Sequence, residues 1–296
     1  MKVEILMATY NGEKYLREQL DSIVKQTFKD WQLIIRDDNS IDNTMKILSD
    51  YEKKDKRIKI LRDTKGNLGF VKNFEELLKN SSKEFVMFSD QDDYWMENKI
   101  EKYVKVIESL NKTELENPLL IHSNSYVCDK NLNILKKKFV DPKIAKEYSG
   151  SSYFFNYIVQ GSTVLVNRKM IQIALPFFKN VRLHDRYLHL LSEFFGKRIF
   201  IDESLTKYRQ HNGNEIGAKS SSLSKLLKKK YFYKNDRELI IEMNKKYNKV
   251  LKKNNLEDIE KYIQVTDRNK SRIKRFFLSR YFKMKLLKRL FLLIKG

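Results

Sequence analysis

The sequence predicts an α/β fold in which a mostly parallel central sheet is flanked by helices, with a basic helical extension at the C-terminus. Two observations predict the sheet: four short apolar segments alternate with helical patterns within the first 110 residues, and these segments are apolar almost throughout. Strands covered by helices on both faces keep apolar side chains on both sides. The extension is predicted by charge, because residues 220–296 hold 23 Lys or Arg against 7 Asp or Glu, most of the excess behind the formal charge of +22.

The first four strands and their helices follow in order from the N-terminus. Residues 2–8 form a predicted buried strand, and Asn11 is the predicted N-cap of a helix with apolar residues at helical spacing from Tyr15 to Val24. The remaining strands are predicted at residues 33–35, 58–61 and 85–88, and the helices at residues 45–51, after Gly69 and at residues 97–110.

The second half of the chain has a less regular pattern. A helix is predicted after His184 and Asp185, because Tyr187, Leu188, Leu191 and other apolar residues follow at helical spacing. Short apolar segments predict strands at residues 119–122, 125–127, 161–166, 198–201 and 205–208.

Acidic side chains are concentrated where two of the predicted parallel strands end. Asp90, Asp92 and Asp93 follow the fourth strand, and Asp37 and Asp38 follow the second. Ligands of such sheets bind at the carboxyl ends of the strands, and crowded carboxylates suit Mg²⁺ or Mn²⁺. Two structural alternatives stay open: a solvated acidic turn at the first cluster, and an Asx turn followed by an N-cap at Ser40 or Asp42 at the second.

Composition excludes several classes of protein. Gly (9) and Pro (3) are too scarce for flexible linkers or low-complexity repeats, and Cys128, the single cysteine, predicts a small buried residue rather than a disulfide or a zinc site. The chain has no signal-peptide pattern and no run of about 18 uncharged apolar residues, so we expect it in the cytoplasm. Nucleic-acid binding is not expected, because the basic excess belongs to the extension.

Five motifs in order resemble glycosyltransferase family two, which has the GT-A fold, and in particular its bacterial rhamnosyltransferase-like branch. The resemblance covers roughly residues 1–215. The motifs are Ile5-Leu6-Met7-Ala8-Thr9-Tyr10-Asn11-Gly12, Gln26-Thr27-Phe28, Ile34-Ile35-Arg36-Asp37-Asp38-Asn39-Ser40, Asn67-Leu68-Gly69 and Ser89-Asp90-Gln91-Asp92-Asp93-Tyr94-Trp95.

The resemblance implies a site for a nucleoside diphosphate sugar. Its donor-binding residues are Ala8, Thr9, Tyr10, Asp37, Asp38, Asp90 and Arg209. Asp38 corresponds to the carboxylate that reads a pyrimidine imide, and Asp90 to an acid that contacts the ribose or the sugar. Asp92 corresponds to the direct ligand of Mn²⁺ or Mg²⁺.

Two later segments resemble further parts of the same family. Leu183-His184-Asp185-Arg186-Tyr187 is similar to the segment that carries the catalytic base, which the resemblance assigns to Asp185; Arg186 and Tyr187 replace the two Trp often found there. Tyr208-Arg209-Gln210-His211 is similar to a loop over the donor diphosphate, in which Arg209 neutralises the leaving phosphate and His211 completes the metal shell.

The predicted domain organisation is a catalytic domain at residues 1–219 and an extension at 220–296. The catalytic domain divides into a nucleotide-sugar half, about 1–115, and an acceptor half, about 116–219. Apolar residues recur at helical intervals between Arg272 and Lys295 with basic residues between them, a pattern typical of a helix that lies on an anionic membrane surface. The alternative is that this stripe packs on the catalytic domain or on a second subunit.

The sequence thus predicts an inverting, non-processive glycosyltransferase, peripheral at the inner face of the cell membrane. The first donor suggested by the resemblance is dTDP-rhamnose and the second is a UDP-hexose; the acceptor is a polyprenyl-diphosphate-linked saccharide. The alternatives are a sugar nucleotidyltransferase, which lacks support because only Gly12 lies near the N-terminus, and an inactive membrane adaptor of the same fold.

Overall fold

The computed structural model describes residues 1–146, 150–155, 158–211, 236–282 and 289. These residues form one mixed sheet with helices on both faces. Its strands are β1 Val3–Thr9, β2 Trp31–Asp37, β3 Ile58–Ile60, β4 Phe85–Ser89, β5 Tyr94–Trp95, β6 Leu119–Cys128, β7 Ile134–Lys136, β8 Val164–Asn167 and β9 Lys197–Arg209. Its helices are α1 Glu13–Val24, α2 Thr44–Lys54, α3 Phe70–Lys79, α4 Lys99–Glu108, α5 Lys112–Glu116, α6 Pro142–Lys146, α7 Arg168–Ala174, α8 His184–Phe195, α9 236–247, α10 Lys253–Thr266 and α11 Arg272–Leu278.

The first four strands form the parallel part of the sheet, as predicted. The spatial order is β3-β2-β1-β4-β8-β6-β9-β5, and β7 pairs with β6. Strands β3, β2, β1 and β4 run parallel, whereas β8 is antiparallel to both β4 and β6. The carboxyl ends of β1, β2 and β4 therefore meet at one edge, which is where the acidic clusters follow.

Two apolar clusters lie on opposite faces of the sheet. Alternate residues of β1 enter different clusters, Ile5 and Met7 on one face and Leu6 on the other. The first cluster receives α1, α2 and α4, and the second receives α3, α7 and α8. Helices α9 and α10 join this second cluster through Ile240 and Tyr262, both fully buried. The described part of the extension thus shares a core with the acceptor half.

Four details of the predicted secondary structure were wrong. The strand predicted at 161–166 is β8, which begins at Val164, because Gly161–Thr163 form a 3-10 turn. Helix α1 begins at Glu13 with Gly12 as its N-cap, because Asn11 has a φ of 46° and its side-chain oxygen accepts instead from the backbone N–H of Ile41 at 2.9 Å. The strands predicted at 119–122 and 125–127 are one strand, β6, and those at 198–201 and 205–208 are one strand, β9. Polar residues at 123–124 and 202–204 interrupt the apolar pattern where the pairing between β6 and β9 is irregular, which explains why each strand was predicted as two.

The described end of the extension has one buried face and one exposed face. Phe282 is 1% exposed and contacts the rings of Phe154 and Tyr262, whereas Ile273 is 66% and Phe277 53% exposed. Over the residues that the structure describes, no helix is both long enough and apolar enough to cross a membrane. Residues 283–288 and 290–296, which complete the predicted stripe, lie outside the described residues.

Candidate active site

The acidic loop after β4 is held against the end of β9. Asp93 is fully buried, and its Oδ1 accepts from the backbone N–H of Arg209 at 3.1 Å, while its Oδ2 has no hydrogen-bond partner among the described residues. Burial is the main cause that raises the pKa of Asp93 to about 7, and the negative charge of the neighbouring Asp92 is the second cause. Burial also raises the pKa of Asp90, with further contributions from Asp93, Asp92 and Asp185. Acids that repel one another in this way are stabilised by a nearby cation.

Asp92 and His211 lie side by side at the open edge of this loop. His211 Nε2 is 2.7 Å from Asp92 Oδ2, and both side chains are about one-sixth exposed. A carboxylate paired with an imidazole fits a divalent cation such as Mn²⁺ or Mg²⁺. Within the described ranges there is no group of three or more His, Cys, Asp or Glu that could hold a metal ion.

Arg209, at the end of β9, is buried and contacts the acidic loop. Its guanidinium is 1% exposed and donates to the backbone carbonyls of Asp92 and Lys130 and to Glu18 Oε2, each at 2.7 Å. The guanidinium carbon also lies 4.4 Å from the centre of the Tyr15 ring. These contacts give Arg209 a positioning role, in which it holds the acidic loop, and its predicted contact with the leaving phosphate stays a prediction.

Asp38, which directly follows β2, connects the end of that strand to the loop before α3. Its carboxylate is 3% exposed and accepts from Arg36 Nη1 at 2.7 Å and from the backbone N–H groups of Leu68 and Gly69 at 2.8 Å each. Arg36 in turn binds Asp63 and the carbonyl of Gly66. Asp38 therefore fixes the fold of the 66–69 loop, and its predicted contact with a nucleobase stays a prediction.

The other predicted donor residues lie where β1 and β2 end. Asp37 accepts from Thr9 Oγ1 at 2.8 Å and from the backbone N–H of Ser40 at 2.8 Å, three residues on rather than the two of the Asx turn that was the alternative. Ala8 is partly buried and Thr9 is buried, whereas Tyr10 is 48% exposed and exchanges two 2.9 Å hydrogen bonds with the Gln91 side chain. The alternative of an N-cap at Ser40 or Asp42 is wrong, because α2 begins at Thr44 with Asn43 as its N-cap. The N–H of Thr44 nevertheless donates to Asp42 Oδ1 at 2.9 Å.

Asp185 lies in the first turn of α8, close to the acidic loop. It is 6% exposed, its Oδ1 accepts from the backbone N–H of Arg186 at 2.6 Å, and its charge contributes to the raised pKa of Asp90. The structure therefore brings the predicted base and the predicted donor acids together. A carboxylate here is placed to act as a general base toward an acceptor that approaches the donor sugar.

Arg186 and Tyr187 point into the core rather than into the site. Arg186 donates to the backbone carbonyls of Tyr153 and Phe154 and lies 3.0 Å from Asp236 in α9. The Tyr187 hydroxyl donates to the carbonyl of Ala174 at 3.0 Å. Arg186 and Tyr187, which stand in place of the family's two Trp, thus attach α8 to the surrounding core.

Sequence reasoning missed Lys99, the first residue of α4. Its side chain is fully buried, its Nζ donates to the carbonyl of Ser162 at 2.6 Å and to Thr206 Oγ1 at 2.9 Å, and it lies 3.6 Å from the centre of the Trp95 ring. Burial lowers its pKa, and the charges of Asp93 and Asp90 oppose that shift. A lysine six residues after a run of acids was the available signal, but a basic residue in the first turn of a helix usually indicates a solvated surface.

Comparison with known proteins agrees with this geometry. Residues 4–115 match the family model described as glycosyl transferase family 2. The chain is 30% identical over 231 residues to the dTDP-rhamnosyl transferase RfbG of Shigella flexneri, covering 74% of this chain and 76% of RfbG. It is 33% identical over 192 residues to WfgD of Escherichia coli, a UDP-Glc:alpha-D-GlcNAc-diphosphoundecaprenol beta-1,3-glucosyltransferase, covering 64% of this chain and 68% of WfgD.

A solved structure shows the same fold. Residues 1–349 of Staphylococcus aureus TarS, crystallised with UDP-GlcNAc, superpose with a TM-score of 0.64 at 21% identity, covering 99% of this chain and 78% of that one. At this identity the likeness concerns the fold, and it confirms the predicted GT-A architecture. Together with the relatives above, it leads to one conclusion. This chain belongs to glycosyltransferase family 2.

Proposed function

We propose that this glycosyltransferase transfers one sugar, or a few, from a nucleoside diphosphate donor to a lipid-linked saccharide, with inversion at the anomeric carbon, in the synthesis of a cell-surface polysaccharide. The observation that carries the proposal is that Asp185 lies close enough to Asp90 for their charges to interact, while Asp92, on the same acidic loop as Asp90, is paired with His211. One carboxylate on the acceptor side and a cation-binding pair on the donor side are the groups that such a displacement needs.

The donor lies, in this proposal, across the carboxyl ends of β1, β2 and β4. Ala8, Thr9 and Tyr10 line the nucleoside pocket together with Asp37, which accepts from Thr9, and Asp38, which shapes the floor of the pocket through the 66–69 loop. Asp90 contacts the ribose or the sugar. The preferred donors are dTDP-rhamnose and then a UDP-hexose, following the names of RfbG and WfgD.

Asp92 and His211 would hold a Mn²⁺ or Mg²⁺ ion, which would supply positive charge to the leaving diphosphate. Asp185 takes the proton of the acceptor hydroxyl as that oxygen bonds to the anomeric carbon, and the bond from this carbon to the diphosphate breaks on the opposite face. Arg209 keeps the acidic loop in place through the carbonyl of Asp92. Burial of these groups strengthens each electrostatic contact.

The proposed acceptor is a polyprenyl-diphosphate-linked saccharide, supported by the name of WfgD and by the basic extension at residues 220–296. In α11 and the turn after it, Ile273, Phe277 and Arg280 are exposed on the side away from the buried Phe282. We propose that this exposed face meets the anionic headgroups at the inner face of the cell membrane, next to a catalytic domain formed by residues 1–219.

Donor hydrolysis tests the proposal without an acceptor. A panel that includes dTDP-rhamnose and UDP-glucose is incubated with the protein and Mn²⁺, and the released nucleotide is identified. We expect slow release of a nucleoside diphosphate that stops when EDTA is added. Release of pyrophosphate from a nucleoside triphosphate and a sugar phosphate would instead indicate a nucleotidyltransferase, and neither binding nor turnover of any donor would indicate an inactive adaptor.

A further inference from the structure

Unpartnered polar atoms lie beside the proposed base. Gln160 Nε2 and both ring nitrogens of His184 are buried and have no hydrogen-bond partner among the described residues. Gln160 is 7% exposed and His184 is 3% exposed. Buried polar groups are paired in the great majority of cases, and leaving one unpaired destabilises a fold. Three such atoms on adjoining segments therefore indicate a position at which a ligand supplies the missing hydrogen bonds.

Gly161, which follows Gln160 in the chain, faces both the His184 imidazole and the proposed base. A Cβ atom added to Gly161 would lie 3.0 Å from His184 Nε2 and 3.4 Å from Asp185 Oδ2. Both atoms therefore face the same stretch of backbone. Any side chain at position 161 would crowd them, so glycine keeps the imidazole and the carboxylate accessible from one side.

The imidazole of His184 is neutral and lies in an aromatic cage. Burial lowers its pKa to about 3, and its ring centre is 4.2 Å from that of Phe74, 5.1 Å from Phe88 and 5.8 Å from Phe70. A phenylalanine would fill such a cage without unpaired nitrogens. A neutral imidazole has one donor and one acceptor nitrogen, and the nitrogen that faces the site can form a hydrogen bond with an alcohol, either to its oxygen or from its proton.

We propose that His184 and Gln160 bind the attacking hydroxyl of the acceptor and orient its proton toward Asp185. This inference rests on the proposed transfer reaction and adds an acceptor subsite to it. The ligand class is an alcohol, for which water substitutes during donor hydrolysis. Gln160 is already held by Ser125, whose hydroxyl donates to Gln160 Oε1 at 2.6 Å, so its free amide nitrogen is oriented before the acceptor arrives.

His184→Phe separates a binding role from a packing role. The donor is whichever of dTDP-rhamnose and UDP-glucose the wild type hydrolyses, and water is the acceptor. We expect kcat to fall about tenfold, the effect of one lost hydrogen bond in the transition state. The KM for the donor and the Kd of the nucleoside diphosphate should not change. The melting temperature should rise by several degrees, because the unpaired nitrogens are removed.

His189→Phe is the matched control. His189 is fully buried in the same helix, but its partner is Glu193, at 3.3 Å, and Glu193 keeps Arg198 at 2.7 Å when the imidazole is removed. Its kcat should equal that of the wild type. If His184→Phe does not fold, Gln160→Met is judged by the same criteria.

The inference is overturned if His184→Phe keeps the wild-type kcat, or if it loses nucleotide affinity together with kcat, since the second result would indicate general damage to the site. A wild-type protein that hydrolyses no donor would overturn the proposed function itself. The two failures are therefore distinguishable.

Discussion

The donor side and the acceptor side of the site differ in how their buried polar groups are paired. On the donor side, Arg36 and Asp38 bind each other and several loop groups, and Arg209 contacts three segments. On the acceptor side, His184 and Gln160 keep unpaired nitrogens among the described residues. Under the proposed function, the difference teaches that the protein itself organises the nucleotide side, whereas the acceptor side depends on the acceptor to complete it.

The largest expected effect belongs to the acceptor side. Asp185→Asn should reduce transfer by ~10²–10⁴-fold, the usual contribution of a general base, while donor affinity stays at the wild-type value because the lost function acts in the transition state. Steady-state kinetics with nucleotide binding by calorimetry measures both. A variant with wild-type turnover would move the base to another residue, and the comparison of the two sides would then fail.

Asp92→Asn tests the donor side at its exposed edge. We expect Mn²⁺-dependent binding of the nucleoside diphosphate to weaken by at least about 10–100-fold, the range for disturbing even the partners of a metal ligand. His211→Ala should act in the same direction, because the two groups are 2.7 Å apart. Calorimetry with and without EDTA is the measurement, and unchanged metal-dependent binding in Asp92→Asn contradicts the assignment.

Asp38→Ala tests the prearranged part of the donor side. We expect a loss of ~1–3 kcal/mol in pyrimidine nucleotide binding, together with a lower melting temperature, since the amides of Leu68 and Gly69 and part of Arg36 lose their partner. Asp63→Ala removes the other carboxylate of Arg36 without touching these amides. An equal loss of affinity in Asp63→Ala would mean that Asp38 acts only through the loop, and equal binding of purine nucleotides would exclude base reading.

The smallest expected effect concerns the exposed face of the extension. Arg280→Gln should weaken co-sedimentation with anionic vesicles by about 1 kcal/mol, roughly fivefold, and the attraction should fade as salt rises. Phe282→Ala is the contrast: it should lower the melting temperature and leave vesicle binding unchanged, because Phe282 is buried. If the wild-type protein does not bind anionic vesicles, the apolar stripe of the extension has only a packing role.

The nucleotide-sugar half was largely predictable because its elements are local. Strands β1 to β4 are short and mostly apolar, and the acids that follow β2 and β4 lie at one edge because parallel strands end there. Arg209 and Lys99 were not predictable in the same way. Their burial depends on partners far along the chain, Glu18 for Arg209 and Ser162 for Lys99, which no local pattern reveals.

The periodicity of apolar residues in the extension does not show which face is buried and which is exposed. The spacing of apolar residues after Arg272 indicates a helix with an apolar side, and it predicts equally a membrane face and a packing face. The ring contacts of Phe282 with Phe154 and Tyr262 identify the side of the stripe that packs on the core. Point substitutions on each face are therefore more informative than truncation after Ser271, which would remove both faces at once.

The bond from Arg186 to Asp236 has a consequence for chimeric enzymes. The residue next to the proposed base is anchored in α9, so the orientation of Asp185 depends on a helix that lies beyond the catalytic motifs. A hybrid that joins residues 1–211 of this chain to the C-terminal helices of another family member should retain the fold of its sheet. It should recover full turnover only when the grafted helix carries an acid opposite Arg186, and engineers who exchange these modules should choose the junction accordingly.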